Sequence, residues 1–165
     1  MWSAESTRTR LGGVVLVGLQ SGTLAALAML GWLALASAWY RRSIWSVPNL
    51  LASTFYGDSA LRNGFTSTTV SGIALYLAIY GLFGALFGLA VQDRWRPLRI
   101  TLIAVAASLA WYYLSFGLIW KAVNPLVVLY THDTPMLIGH IIYGALLGRY
   151  PVYLKVAEQL KIKAE

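Results

Sequence analysis

The side chains best equipped for chemistry here are two histidines, His132 and His140, with Asp133 beside the first. A neutral imidazole can ligate a haem iron or a chlorophyll magnesium. His140 stands four residues before Gly144, which forms a GxxxG pair with Gly148 and would leave room for a flat macrocycle. The competing reading is a histidine satisfied by an interhelical hydrogen bond. His132, Asp133 and His140 could together hold a divalent cation, but Pro135 interrupts the helical spacing and no recognised ligand motif is present. No Ser-His-Asp order, phosphate-cradling glycine loop or carboxylate pair is found. With no cysteine, a thiolate nucleophile, a disulfide framework and an iron–sulfur site are all excluded. His140 is the single cofactor-binding candidate, and no residue stands out as catalytic or as part of a metal site.

The elements that must position these residues are set by composition. Of 165 residues, 58% are hydrophobic and 12% charged, against about 25% charged in soluble domains. A net charge of +7 interleaved with long apolar runs offers no continuous polar face for a phosphate backbone, so nucleic acid is excluded as a partner. Four apolar stretches approach the roughly 17 to 25 residues needed to cross a bilayer: Val14 to Trp39, Thr69 to Val91, Ile100 to Trp120, and a shorter one from Pro135 to Tyr150. The first is too long for a signal-peptide core and is expected to stay as a span. Nine Lys and Arg residues fall on the side of the two tails and the middle loop, and four (Arg41, Arg42, Arg62 and Lys121) on the other. That asymmetry places both termini in the cytoplasm.

The chain also repeats itself. IWSVPNLLASTFYGDS at 44–59 and IWKAVNPLVVLYTHDTP at 119–135 share an Ile-Trp start, a Pro/Asn pair and an Asp followed by Ser or Thr, and FGALFG at 83–88 answers YGALLG at 143–148. Two tandem copies of helix, outer loop and helix follow from this. From Pro48, the spacing of Val47, Leu50, Leu51 and Phe55 predicts a segment lying flat in the interface. Trp39, Tyr40, Trp45, Tyr56, Trp120 and Tyr130 would form an outer aromatic belt, with Trp2, Trp95, Tyr150 and Tyr153 on the inner side. Asp133-Thr134-Pro135 reads as a capped helix start. The second span has small residues at Ser71, Ala74, Ala78, Gly81, Ala85 and Gly88, a single face for close helix packing, and Gly84/Gly88 and Gly144/Gly148 extend that expectation. Trp111, Tyr112 and Tyr113 sit in mid-span, where a phenolic hydroxyl needs a partner. No charged residue lies in the central part of any span, which argues against a proton-coupled pump or an intramembrane hydrolase.

The segment PMLIGHIIYGALLG resembles the closing helix of small uncharacterised bacterial inner-membrane proteins, which place Gly-His and then Tyr-Gly in a last span. The resemblance implies a four-helix bacterial membrane protein and no activity. The expectation is therefore an all-α, multi-pass protein of the bacterial cytoplasmic (inner) membrane. Residues 1–165 form one membrane domain: a first helix pair at 1–91, a second at 92–150 and an amphipathic cytoplasmic tail at 151–165. Its expected role is a non-enzymatic accessory or scaffold subunit of a larger complex, such as a respiratory or photosynthetic one, with bound lipid and other integral membrane subunits as partners. The alternatives are a small solute transporter or channel, and a haem- or chlorophyll-binding subunit using His140.

Overall fold

Apolar length and helix punctuation decide the elements. The computed structural model describes residues 4–62, 64–91 and 96–164. Trp2, Arg94 and Trp95, and the side chains of Arg8, Arg10, Leu160, Lys161 and Lys163, lie outside what is described, with the expectations placed on them. The chain is all-helical among the described residues. Helix α1 is Ala4–Trp39, α2 Ser46–Tyr56, α3 Ser67–Val91, α4 Pro97–Val123, α5 Pro125–Tyr130, α6 Asp133–Leu147 and α7 Tyr150–Ala164. Three of them are long and apolar enough to cross a membrane: α1 over Leu11–Trp39, α3 and α4. At 1.5 Å per residue the 29 residues of the first reach about 43 Å, longer than a hydrocarbon core of about 30 Å, so α1 is suited to a tilted crossing.

Helix α6 has 15 residues, about 23 Å, and falls short of that length. It begins where Asp133-Thr134-Pro135 predicts, but neither expected cap is made. His132 takes the N-cap position without a side-chain bond, and the Asp133 carboxylate instead accepts from the Tyr112 hydroxyl at 3.2 Å.

Glycines set the close approaches between the long helices. Gly84 of α3 meets Gly18 and Gly22 of α1 so tightly that a Cβ at Gly84 would lie 2.5 Å from the Gly18 carbonyl oxygen. Gly144 and Gly148 of α6 press in the same way on Val105 and Thr101 of α4. The small-residue face of α3 holds only over its inner half. Gly81, Ala85 and Gly88 are buried, whereas Ala74 and Ala78 are exposed and Ser71 is half-buried. The reason is that Thr69, Gly72, Tyr76 and Tyr80 take the inward line over the first half of α3, where α2 packs onto Gly72. Gly72 is the key small residue there, with the Pro48 carbonyl against it.

The short segments between the long helices are buried within the bundle and do not lie on its surface. In α2 the residues from Pro48 to Ser53 are buried, and Phe55 stays exposed. Asn49 accepts from the Thr69 hydroxyl at 2.6 Å and donates to the Gly64 carbonyl at 3.1 Å. Asn124, between α4 and α5, caps α5 by accepting from the Leu126 N–H and donates to the Ser53 hydroxyl at 2.9 Å. One buried asparagine in each half thus ties an outer segment to the bundle.

Helix α4 contains a π-helical turn at Ser115–Ile119, where the Trp120 N–H donates to the Ser115 carbonyl. Its inward positions run Ile100, Ala104, Ser108, Tyr112, Ser115 and then Trp120. Trp120 is therefore 9% exposed and belongs to the core, not to the outer aromatic belt. Tyr150 departs from the inner belt likewise: it is fully buried against Gly88, because the first turns of α7 pack with Leu154 onto Val14 and Val17.

Candidate functional site

Where α3, α4 and α6 converge, the histidine singled out in the sequence is fully buried. His140 Nδ1 lies 2.8 Å from the Met136 carbonyl oxygen, and Nε2 lies 2.9 Å from the Tyr80 hydroxyl. A carbonyl can only accept, so Nδ1 bears the hydrogen, and the Nε2 lone pair then accepts from Tyr80. Both imidazole nitrogens are in use. The neighbours are equally occupied: Ser108 donates to the His140 carbonyl at 2.8 Å, and Tyr143 donates to the Tyr80 carbonyl at 2.6 Å. The rings of Tyr80 and Tyr112 stand 5.7 and 5.1 Å from that of His140. The cluster locks α3, α4 and α6 together through polar groups that a bilayer could not otherwise satisfy.

A macrocycle does not fit this arrangement. Tyr80 takes the nitrogen that would face a metal, and the glycines expected to make room are filled by α4 backbone, with Val105 Cα 2.6 Å from a Cβ built on Gly144. His132 is elsewhere, stacked on Tyr40 at 4.7 Å on the outer face. Among the described residues no group of three His, Cys, Asp or Glu could hold a metal ion.

Two hollows flank the cluster. A cavity of about 30 Å³ lies between α2, α3 and α4, lined by Tyr76, Tyr80, Trp111, Trp120, Thr131 and Met136 among others. The hydroxyls of Tyr76 and Thr131 are buried and have no hydrogen-bond partner among the described residues. Beyond Ile79, Trp111 and Trp120, which line both hollows, a groove of about 450 Å³ opens between α3 and α4. Its walls are Leu75, Leu82, Phe83, Leu86, Ile119 and other apolar side chains, with Thr54 and Ser115 the polar exceptions.

At its C-terminus α1 ends in paired reverse hydrogen bonds, Arg41 N–H to the Ala38 carbonyl and Arg42 N–H to the Ser37 carbonyl. Arg41 is left-handed there, with φ 55°, where glycine is usual. An arginine in that conformation costs about 1 kcal/mol. The turn brings the Arg42 guanidinium to the Tyr130 carbonyl at 2.9 Å, a bond from the first half of the chain to the second.

Sequence reasoning reached His140 and its glycines but not Tyr80, which bonds its ring, or Tyr143, which bonds Tyr80. The findable signal was the run Tyr76, Tyr80, Gly84 at steps of four, which puts two tyrosines on the inward line of α3. Comparison with family models, with curated proteins and with solved structures returned no match, so the functional reading rests on this geometry.

Proposed function

We propose that this chain is a non-enzymatic accessory or scaffold subunit of a larger membrane assembly. The observation behind this reading is Tyr113. It lies ten residues, about 15 Å, from the outer end of α4 and so at hydrocarbon depth, yet it is 66% exposed and its hydroxyl has no hydrogen-bond partner among the described residues. A phenol facing lipid there needs a partner. Leu102 and Leu118 are similarly exposed on α4, the candidate span with the least cover from the rest of the bundle. Meanwhile the polar groups around His140 are engaged in holding helices together, which leaves little there with which to perform a reaction. Purification in mild detergent is expected to recover a hetero-complex, and Tyr113→Leu to reduce recovery of its partners about tenfold, the scale of an interface aromatic, with the thermal stability of the chain itself unchanged. A lone monomer or homo-oligomer that moves solute in liposomes would reject the proposal in favour of a transporter.

The membrane placement belongs to the same proposal: a bacterial inner membrane, four crossings, and both termini cytoplasmic. Helix α6 is short for a span, but it packs against α1 and α4, and such cover lets a helix cross without matching the lipid thickness. Each half has a long helix, a short outer helix with a buried asparagine nearby, and a returning helix, which supports a tandem duplication. In intact cells, cysteines replacing Ser59 and Thr134 are expected to react with an impermeant reagent, and one replacing Lys155 is not. Labelling in the opposite sense inverts the topology.

A further inference from the structure

We propose that the cavity beside Tyr76 and Thr131 receives the uncharged oxygen-bearing head of a membrane amphiphile, whose chain lies in the groove between α3 and α4. The starting point is the pair of orphaned hydroxyls. Each would be hydrogen-bonded to water in an unfolded chain, and leaving one buried and unpaired is among the costlier faults in a folded interior. Tyr76 is 2% exposed, and both hydroxyls belong to residues lining one small cavity, so a single guest can serve both. About 30 Å³ admits one or two waters, or a hydroxyl or carbonyl on the end of something longer, but not a ring system. No charged side chain lines the cavity or the groove, so a carboxylate or ammonium head would enter uncompensated and the guest must be neutral.

The groove supplies the rest of the guest. It opens between two helices long enough to cross a membrane, so what enters it comes from the bilayer. An α-helix with its side chains is about 10 Å across, too thick for a hollow of about 450 Å³ to seat, whereas a single hydrocarbon chain is not. Ile79, Trp111 and Trp120 line both hollows, so one layer of side chains separates the groove from the cavity, and the head of a guest whose chain lies in the groove enters by passing between them. This inference is independent of the scaffold reading, since a single-chain transporter could hold the same guest.

The full chain, purified in mild detergent, would be photolabelled with a long-chain alcohol bearing a diazirine in its tail, and in parallel with the matched alkane. The alcohol is expected to label the stretches 75–86 and 111–123 about tenfold more efficiently than the alkane, the worth of one or two hydrogen bonds. Combining Tyr76→Phe with Thr131→Val, each close to the native shape, is expected to erase that preference while labelling by the alkane persists. The inference is overturned by equal labelling from both probes, by a preference that survives the double substitution, or by no labelling of the groove, the last leaving water alone to fill the cavity. Displacement of the alcohol by a two-chain phospholipid but not by excess unmodified alcohol overturns it too.

Discussion

Gly84→Leu is expected to lower the unfolding free energy by about 3 kcal/mol, the upper end of what overpacking costs. Gly84 faces the Gly18 carbonyl and Gly22 Cα, at 2.5 and 2.6 Å from where a Cβ would sit, and both are backbone atoms that move only if α1 moves. In a bilayer this contact is the main reason for α1 and α3 to associate, because burying leucine against leucine instead of lipid gains little. Gly81→Leu is expected to cost less, since the atoms it meets, Leu19 Cδ1 and Thr23 Oγ1, end movable side chains. Gly31→Leu should be close to neutral, as nothing lies within 4 Å of that position. Thermal unfolding in detergent distinguishes the three. Equal shifts for Gly84→Leu and Gly31→Leu would mean that the glycine contact does not hold the helices.

Replacing His140 with leucine should cost nearly as much, about 2 to 3 kcal/mol. The volume is roughly kept, but the Tyr80 hydroxyl loses its acceptor at a fully buried imidazole. A double-mutant cycle isolates this cause. With Tyr80→Phe already in place there is no hydroxyl to orphan, and the loss on adding His140→Leu is expected to shrink by about 1 kcal/mol or more. Strict additivity would show that the imidazole stabilises by shape alone.

Much of the helical plan was legible because it depends on length and on local chemistry. Val14 to Trp39 and Thr69 to Val91 fall inside α1 and α3, and the Gly144/Gly148 pair marks a close approach. What escaped depends on which neighbour a helix meets at each depth. Ala74 and Ala78 share a helical stripe with Gly81, but over that part of α3 the buried line runs through Gly72, Tyr76 and Tyr80, so they face outward. Gly72 looked unremarkable until the Pro48 carbonyl of a separate segment was found against it. Asn49 and Asn124 were visible as half of a repeated Pro/Asn pair, yet their hydrogen bonds run to residues 20 and 71 positions away, a distance that no local pattern encodes. For His140, chemistry proposed both a ligand and a structural bond, and only the position of Tyr80 could choose between them.

The wide turn in α4 acts as a phase shifter inside an otherwise uninterrupted rod. Each added residue rotates a helix by about 100°, so the single extra residue in that turn resets which side of everything downstream faces inward. It swings Trp120 from the lipid side to the interior and sets the direction in which the chain enters Asn124. Gaps between related sequences are usually sought in loops. Here the extra residue sits inside a helix, and any pattern read along α4 at a fixed helical spacing slips by one position beyond Ser115.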